Sequence, residues 1–257
     1  MSKEVLDTCL AVTGSFENGH PNYQGVAGNS DKQGLSVGVL QWCALQGSLG
    51  QLIQRIVAKS SVEAVDSFFG DVSVASLAEA DGPSQKQFVV ENFLSDGLHV
   101  TKQGLSQWQA LLSTQEAIDA QVELAEEGVL AKAMTLAGNY VVDGANHLRV
   151  VVFFFDLVTQ SGGMSNSRGR VDPLVAQDLT YQLAIDMAKL HSTKTATKWA
   201  SAVETDPLAQ VLLHYAYQRA LLSRPEFIWD ALSRRGSIAC RGGVVHGKMF
   251  DFTEMLP

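Results

Sequence analysis

Two acidic residues, Glu17 and Asp31, stand fourteen positions apart near the start of a 257-residue chain. Glu17 follows Phe16 at the end of a stretch with helical apolar spacing. Asp31 leads the polar run into "DKQGLSVGVLQW". Two carboxyl groups facing one another across a cleft are what glycosidic bond cleavage needs. One must stay protonated to hand its proton to the leaving oxygen, and an apolar setting favours this by desolvating the anion. The other must be ionised to activate a water or to stabilise the oxocarbenium ion. A helix-end Glu beside a phenylalanine and an Asp on a polar turn suit those separate roles. The bland alternative is a solvated pair, with Asp31 simply forming the turn in "NSD".

The same stretch carries a rival chemistry. Gly34-Leu35-Ser36-Val37-Gly38 fits the G-x-S-x-G elbow of a serine hydrolase, with Ser36 as nucleophile. An elbow needs a buried apolar strand before the serine and a helix after it. Here "GVAGNSDKQ" precedes it and "VLQWCALQG" follows, and neither fits. Gly34 and Gly38 read better as turn and close-approach positions of a hairpin lining a sugar site. In the carboxylate reading Ser36 helps Asp31 hold the attacking water. Gln41 then offers a sugar-binding amide, and Tyr23 and Trp42 offer stacking faces, although aromatics are more often core.

Helices must position these residues. In the first, Val5, Leu6, Cys9, Leu10, Val12 and Thr13 share a face, with Ser2 as a plausible cap. Helical spacing recurs over residues 49–59, 62–69, 84–94, 103–112, 115–137, 148–160, 175–189, 207–222 and 225–235. The 115–137 stretch is the longest, and a helix of that length usually crosses a whole molecule. Residues 23–43 are the exception. Their Gly, Asn and Asp content is followed by alternation of Leu35, Val37, Val39 and Gln41 against Ser36, Gly38, Leu40 and Trp42, which predicts a small sheet or hairpin. No strand–helix repeat of a doubly wound sheet is present. The expected fold is mainly α, with one short β element near the N-terminus.

Composition narrows the partners. The chain is 46% hydrophobic and 18% charged, as ordinary globular domains are, with a net charge of −8. That balance argues against nucleic acid, whose phosphates need clustered Lys and Arg. It suits a neutral or cationic ligand better, although a local site can differ from the mean. Three cysteines without paired spacing imply neither a disulfide framework nor a zinc site. No His–carboxylate cluster calls for a metal, and no cofactor is expected. "VVVFFF" is too short to span a bilayer, so no membrane insertion is expected. The first residues do not read as a signal peptide, which implies synthesis in the cytoplasm. Asp156, placed after that apolar run, requires a buried partner, with Arg219, Arg234 and Arg235 as candidates. His246 reads as structural.

The wider pattern resembles a known family. "LAVTGSFENG" followed by "SDKQGLSVGVLQWCALQGSLGQLI" is similar to the active-site region of family-46 chitosanases and related lysozyme-like glycosidases. There a helix ends in the catalytic Glu, and an Asp leads a D-x-x-G-x-[ST]-x-G hairpin before a G-x-L helix start. The matching residues are Glu17, Asp31, Gly34, Ser36 and Gly38, then Gly47, Leu49 and Leu52. "VVVFFFDLVTQSGG" looks like the family's helix with Phe155, Asp156 and Gly162. "DALSRRGSIACRGGVVHGKMFDF" is similar to the tails of phage-type and effector-type cell-wall hydrolases, with Arg241-Gly242-Gly243 altered. The interval from Glu17 to Asp31 is shorter than in a chitosanase, and Ser36 stands where Thr is usual.

The resemblance implies one lysozyme-like catalytic domain over 1–257, with two helical lobes joined by the 115–137 helix and a small β hairpin beside the cleft. It implies an inverting glycosidase with Glu17 as acid and Asp31 as base, aided by Ser36. The expected substrate is the β-1,4 glycan of bacterial peptidoglycan, with chitosan or chitin as the alternative and a non-catalytic glycan-binding module as a further one. A cell-wall enzyme of this type implies action in the periplasm after delivery by a phage lysis system or an injection machine. An immunity or inhibitor protein is then an expected partner.

Overall fold

The structure is a computed structural model that describes residues 3–18, 21–173 and 180–257, giving only the backbone at Glu17 and Asn18. In chain order the elements are α1 (Lys3–Asn18), β1 (Val26–Ala27), β2 (Ser36–Val37), β3 (Trp42–Cys43), α2 (Ser48–Lys59), α3 (Val62–Asp66), α4 (Gly82–Phe93), β4 (Leu94–Ser95), β5 (His99–Val100), α5 (Lys102–Leu112), α6 (Gln115–Leu124) and α7 (Ala131–Tyr140). There follow α8 (Leu148–Ser161), β6 (Ser165–Asn166), β7 (Gly169–Arg170), α9 (Tyr181–His191), α10 (Thr193–Thr205), α11 (Pro207–Leu221), α12 (Ile228–Ala239), β8 (Gly242–Val245) and β9 (Lys248–Asp251). The fold is mainly α, as the sequence predicts, with a small β element near the N-terminus and further two-stranded antiparallel sheets that were not expected. The chain divides into two compact units: residues 1–20 with 128–257, and residues 21–127.

The second unit is built by local signals that its helices obey. Asp81, Thr101 and Thr114 cap α4, α5 and α6 by accepting the amides of Ser84, Gly104 and Ala117. On α2, Leu49, Leu52, Ile53 and Ile56 fall at helical spacing and are all buried. Beneath them Phe69, Phe93 and Trp108 meet edge to face, with centroids 5.0–5.5 Å apart. On the outside, Arg55 and Lys59 of α2 pair with Glu123 of α6, and Arg55 also with Glu127.

The first unit is organised around α8. Residues Arg149 to Val158 are buried without interruption, the behaviour of a helix that is apolar all round. α1, α7 and α12 pack on it. α8 ends on Gly162, in the left-handed conformation that stops a helix. Arg149 of α8 pairs with Asp206 at 2.6 Å, and Asp206 also caps α11 through the amides of Leu208 and Ala209. β8 and β9 are joined by His246 and Gly247, both at positive φ, the geometry of a two-residue hairpin turn.

Four expectations change. The 115–137 helix is not α throughout: α6 gives way to a π-helical run, Ala125–Leu130, before α7. Gly128 sits within that run, where a residue of low helix propensity lets the turn widen. The small sheet expected over residues 23–43 forms as β1–β2–β3, but the alternation over 35–42 does not separate a buried from an exposed face. Leu35 through Gly38 are all buried, because Ser36–Val37 is the middle strand of the β1–β2–β3 sheet. The 225–235 helix begins as a 3-10 turn, Pro225–Phe227, and α12 then runs on to Ala239. α10 was not foreseen, although Ser192 caps it and Ala196, Trp199 and Val203 are buried along one side. The expected cap Ser2 and the first part of the 175–189 helix, residues 175–179, lie outside the described residues.

Candidate active site

Glu17 lies in the last turn of α1. The helix buries Leu6, Cys9, Leu10, Thr13 and Phe16, a stripe at three- and four-residue steps that fixes its roll. Phe16 is held edge-on by Phe250 and Phe252, at 5.0 and 5.5 Å. Over its ring, at 4.7 Å, lies the guanidinium of Arg234 from α12. Arg234 Nε donates to Asp156 Oδ1 at 2.7 Å, and Nη2 to the Thr13 carbonyl at 3.2 Å. A cation thus sits against the C-terminal turn of α1, where the helix dipole favours it. Of the three arginines offered to Asp156, Arg234 takes it. Arg219 instead donates to the carbonyls of Gly163 and Ser161, and Arg235 to Ser161 Oγ and the Ala231 carbonyl.

The other candidates, Tyr23, Asp31, Ser36, Gln41 and Trp42, lie in the second unit. Asp31 is exposed in a turn spanning Asn29 to Gly34. Its Oδ1 accepts the Gln33 amide at 3.0 Å, so one carboxylate oxygen serves the turn. Asn29 does more of the holding. Its Oδ1 accepts the Gly34 amide at 2.8 Å, its Nδ2 donates to the Gly97 carbonyl, and its own amide bonds the Leu98 carbonyl. The sequence reading passed over Asn29, although an Asn two places before an Asp in a Gly-rich run is a turn signal.

Ser36 sits in the central strand β2, buried, paired with Ala27 and Cys43. After Val37 the chain makes a turn into β3, not a helix. The G-x-S-x-G pattern therefore has neither flank of a nucleophile elbow. Gly34 and Gly38 both have positive φ, +88 and +77. At Gly38 a Cβ would stand 2.4 Å from Gln121 Oε1. Gln121 is the residue that explains this closeness. Wholly buried on α6, it accepts the Val39 amide at 3.0 Å and donates to the Tyr23 carbonyl at 3.1 Å. It pins both ends of the loop segment, and only its occurrence inside an apolar helix face hinted at that task.

The aromatic and amide candidates separate. Gln41 is exposed at positive φ in the turn before β3. Tyr23 is half-buried. Trp42 is corrected: it is 9% exposed and belongs to the core with Leu35 and Val37, so its ring is committed to packing rather than open to a sugar. Among the described residues no group of His, Cys, Asp and Glu could hold a metal ion. No helix among them is long and apolar enough to cross a membrane.

No family model and no curated protein sequence matches the chain. Solved structures do. A GH46 chitosanase from Gynuella sunshinyii, in complex with chitotetraose, is 13% identical over 98% of both chains, with a TM-score of 0.58. The native chitosanase of Bacillus subtilis MY002 is 16% identical over 93% of this chain and 88% of its own, with a TM-score of 0.54.

This chain has the fold of the family-46 chitosanases.

That fold is lysozyme-like, as the resemblance implies. At these identities the likeness is one of fold, and it extends over nearly the whole chain.

Proposed function

We propose that the chain is a glycoside hydrolase that cleaves β-1,4 linkages of an amino-sugar polymer, with bacterial peptidoglycan as its substrate. The observation that carries this reading is the near full-length likeness to chitosanases, taken with Glu17 in the last turn of α1 and Asp31 in the loop before β2. Glu17 protonates the glycosidic oxygen. Asp31, whose second oxygen is not engaged in its own turn, activates a water from the opposite face of the sugar, with the Ser36 hydroxyl helping to hold it. Inversion leaves room for that water and corresponds to carboxyl groups roughly 6.5–9.5 Å apart. Gln41 supplies an exposed amide to sugar hydroxyls, and Tyr23 a ring face for stacking.

The peptidoglycan choice is supported by "GLSVGVLQW" and "VVHG", which are similar to cell-wall hydrolases. In this reading the enzyme works at the bacterial wall, delivered by a lysis or injection system, with an inhibitor protein guarding the producer. A second reading, chitosan, is supported by the oligosaccharides bound to the solved neighbours, chitotetraose and 6 GlcN, and by the net charge of −8, which suits a polycation.

The experiment is digestion of purified peptidoglycan and of chitosan by the wild type and by Glu17→Gln, with products read by mass spectrometry. New reducing ends from the wild type, and none from a variant that still binds, support the hydrolase. The sugar at the new end names the substrate and the bond. Equal release by both proteins sinks the assignment of Glu17. Binding without products from either identifies a glycan-binding module instead.

A further inference from the structure

Five arginines converge on one cavity of the first unit. The cavity, of about 540 Å³, lies between the end of α8, the β6–β7 hairpin, the end of α11 and the start of α12. Arg168, Arg219, Arg224, Arg234 and Arg235 line it, against one acidic side chain, Asp230. In a chain of net charge −8 this is a local reversal of sign.

Three of these arginines are almost fully buried: Arg219 is 2% exposed, Arg234 4% and Arg235 1%. Arg234 is met by Asp156. Among the described residues Arg219 and Arg235 have no carboxylate within ion-pair distance, and their bonds go to carbonyls and a hydroxyl. The Nε–H of Arg235 is buried with no acceptor. Asp156 is close enough to support Arg235 electrostatically, but that carboxylate already serves Arg234. Asp230, half-exposed, is taken by His246 Nε2 of the β8–β9 turn. Burial pushes the Arg235 guanidinium down to about 10, which leaves it protonated at neutral pH. A buried cation without a counter-charge is costly unless something supplies one. An anion held in the cavity would supply one through space. Guanidinium forks match carboxylate and phosphate oxygens two at a time. Arg168 and Arg224 stand exposed at the rim, and Asn166 and Ser223 add polar groups. The cavity also reaches Arg234, which lies over Phe16 beside Glu17 in sequence.

We propose that this cavity binds the carboxylate of an acidic amino sugar in the glycan, the kind of group N-acetylmuramic acid carries and glucosamine lacks. The proposal rests on the glycosidase reading and deepens it, because it makes the substrate an anionic glycan. A chitosan chain has amines and hydroxyls but no negative charge to set against these arginines.

The test reads binding, not turnover. Isothermal titration of the full-length Glu17→Gln protein is carried out with N-acetylmuramic acid, with N-acetylglucosamine, which lacks only the carboxylate-bearing ether, and with inorganic phosphate. The same titrations are repeated with Arg168→Gln/Arg224→Gln added, two exposed positions whose loss leaves the buried packing alone. Arg235→Gln is the third protein, with a thermal melt to establish that it folds. The acidic sugar is expected to bind about tenfold more tightly than the neutral one, the scale of one charge-assisted hydrogen bond. Phosphate should compete with it, the rim variant should weaken the preference, and a folded Arg235→Gln protein should abolish it. Equal binding of the two sugars overturns the proposal, as does a preference that survives in a folded Arg235→Gln protein. Phosphate binding without any preference for the acidic sugar also overturns it, since the cavity then serves free phosphate. Products released by the wild type from glycan in any of these cases leave the hydrolase reading standing. A preserved preference in a protein that hydrolyses nothing keeps the carboxylate site and removes the hydrolase.

Discussion

Arg234 Nε lies 2.7 Å from Asp156 Oδ1, and neither side chain is more than 5% exposed. The pair joins α12 to α8, and the same guanidinium reaches the Thr13 carbonyl of α1. One ion pair thus ties three helices beneath the turn that carries Glu17. Removing one partner of a buried pair leaves the other uncompensated, at a cost of about 3–5 kcal/mol. Asp156→Ala should lower stability by that amount in denaturant unfolding. Asp156→Asn should cost less, because its amide oxygen still accepts from Arg234. Equal stability of all three proteins would remove the ion pair from the account of how α1 is held.

Asp31 separates chemistry from folding. Its Oδ1 is bonded to the Gln33 amide, and an Asn at this position offers the same acceptor. Asp31→Asn should therefore unfold at the same temperature as the wild type while hydrolysis falls by about 10²–10⁴-fold, the range expected for loss of a general base. Full activity in the variant would move the base elsewhere.

Gln121 tests the scaffold of the loop. Gln121→Ala leaves the Val39 amide and the Tyr23 carbonyl without their partner, at about 1–3 kcal/mol for a buried polar group left unpaired. Hydrogen exchange should quicken at Val39 before the helices of this unit exchange. Unchanged protection there would mean that the sheet holds the loop without Gln121.

Asp206 predicts an acid dependence. Burial alone would raise its carboxyl, but the hydrogen bond and charge of Arg149, the Ala209 amide and Arg241 outweigh burial and hold it below the usual carboxylate range. A group depressed in the folded state stabilises above its unfolded value, about 3.9, and loses that contribution as pH falls through its folded one. Unfolding midpoints of the wild type should drop steeply below about pH 4. Asp206→Asn should be less stable at neutral pH and show a shallower fall. Parallel curves for the two proteins would place the acid sensitivity at other carboxylates.

What the sequence determined by itself was local. The Asp, Ser and Thr caps, the apolar stripe of α1, the turn at Asp31 and the left-handed stop at Gly162 depend on neighbours within a few positions. So does the poor fit of Ser36 to an elbow, since the flanks are adjacent in the chain. The need of Asp156 for a cation was equally legible, because an acid within "VVVFFFD" must be paired. Which arginine answers was decided only by the tertiary structure, 78 residues away. Long-range closure also decided that Trp42 is core and that Gln121 and Asn29 brace the loop, across separations of 82, 98 and 68 residues. The bonds involved are ordinary in type and carry no local signature, because their partners meet only when helices pack. The arginine cavity belongs to the same class: α8, α11, α12 and the β6–β7 hairpin each bring one or two of its walls, and the concentration of charge exists only where they converge.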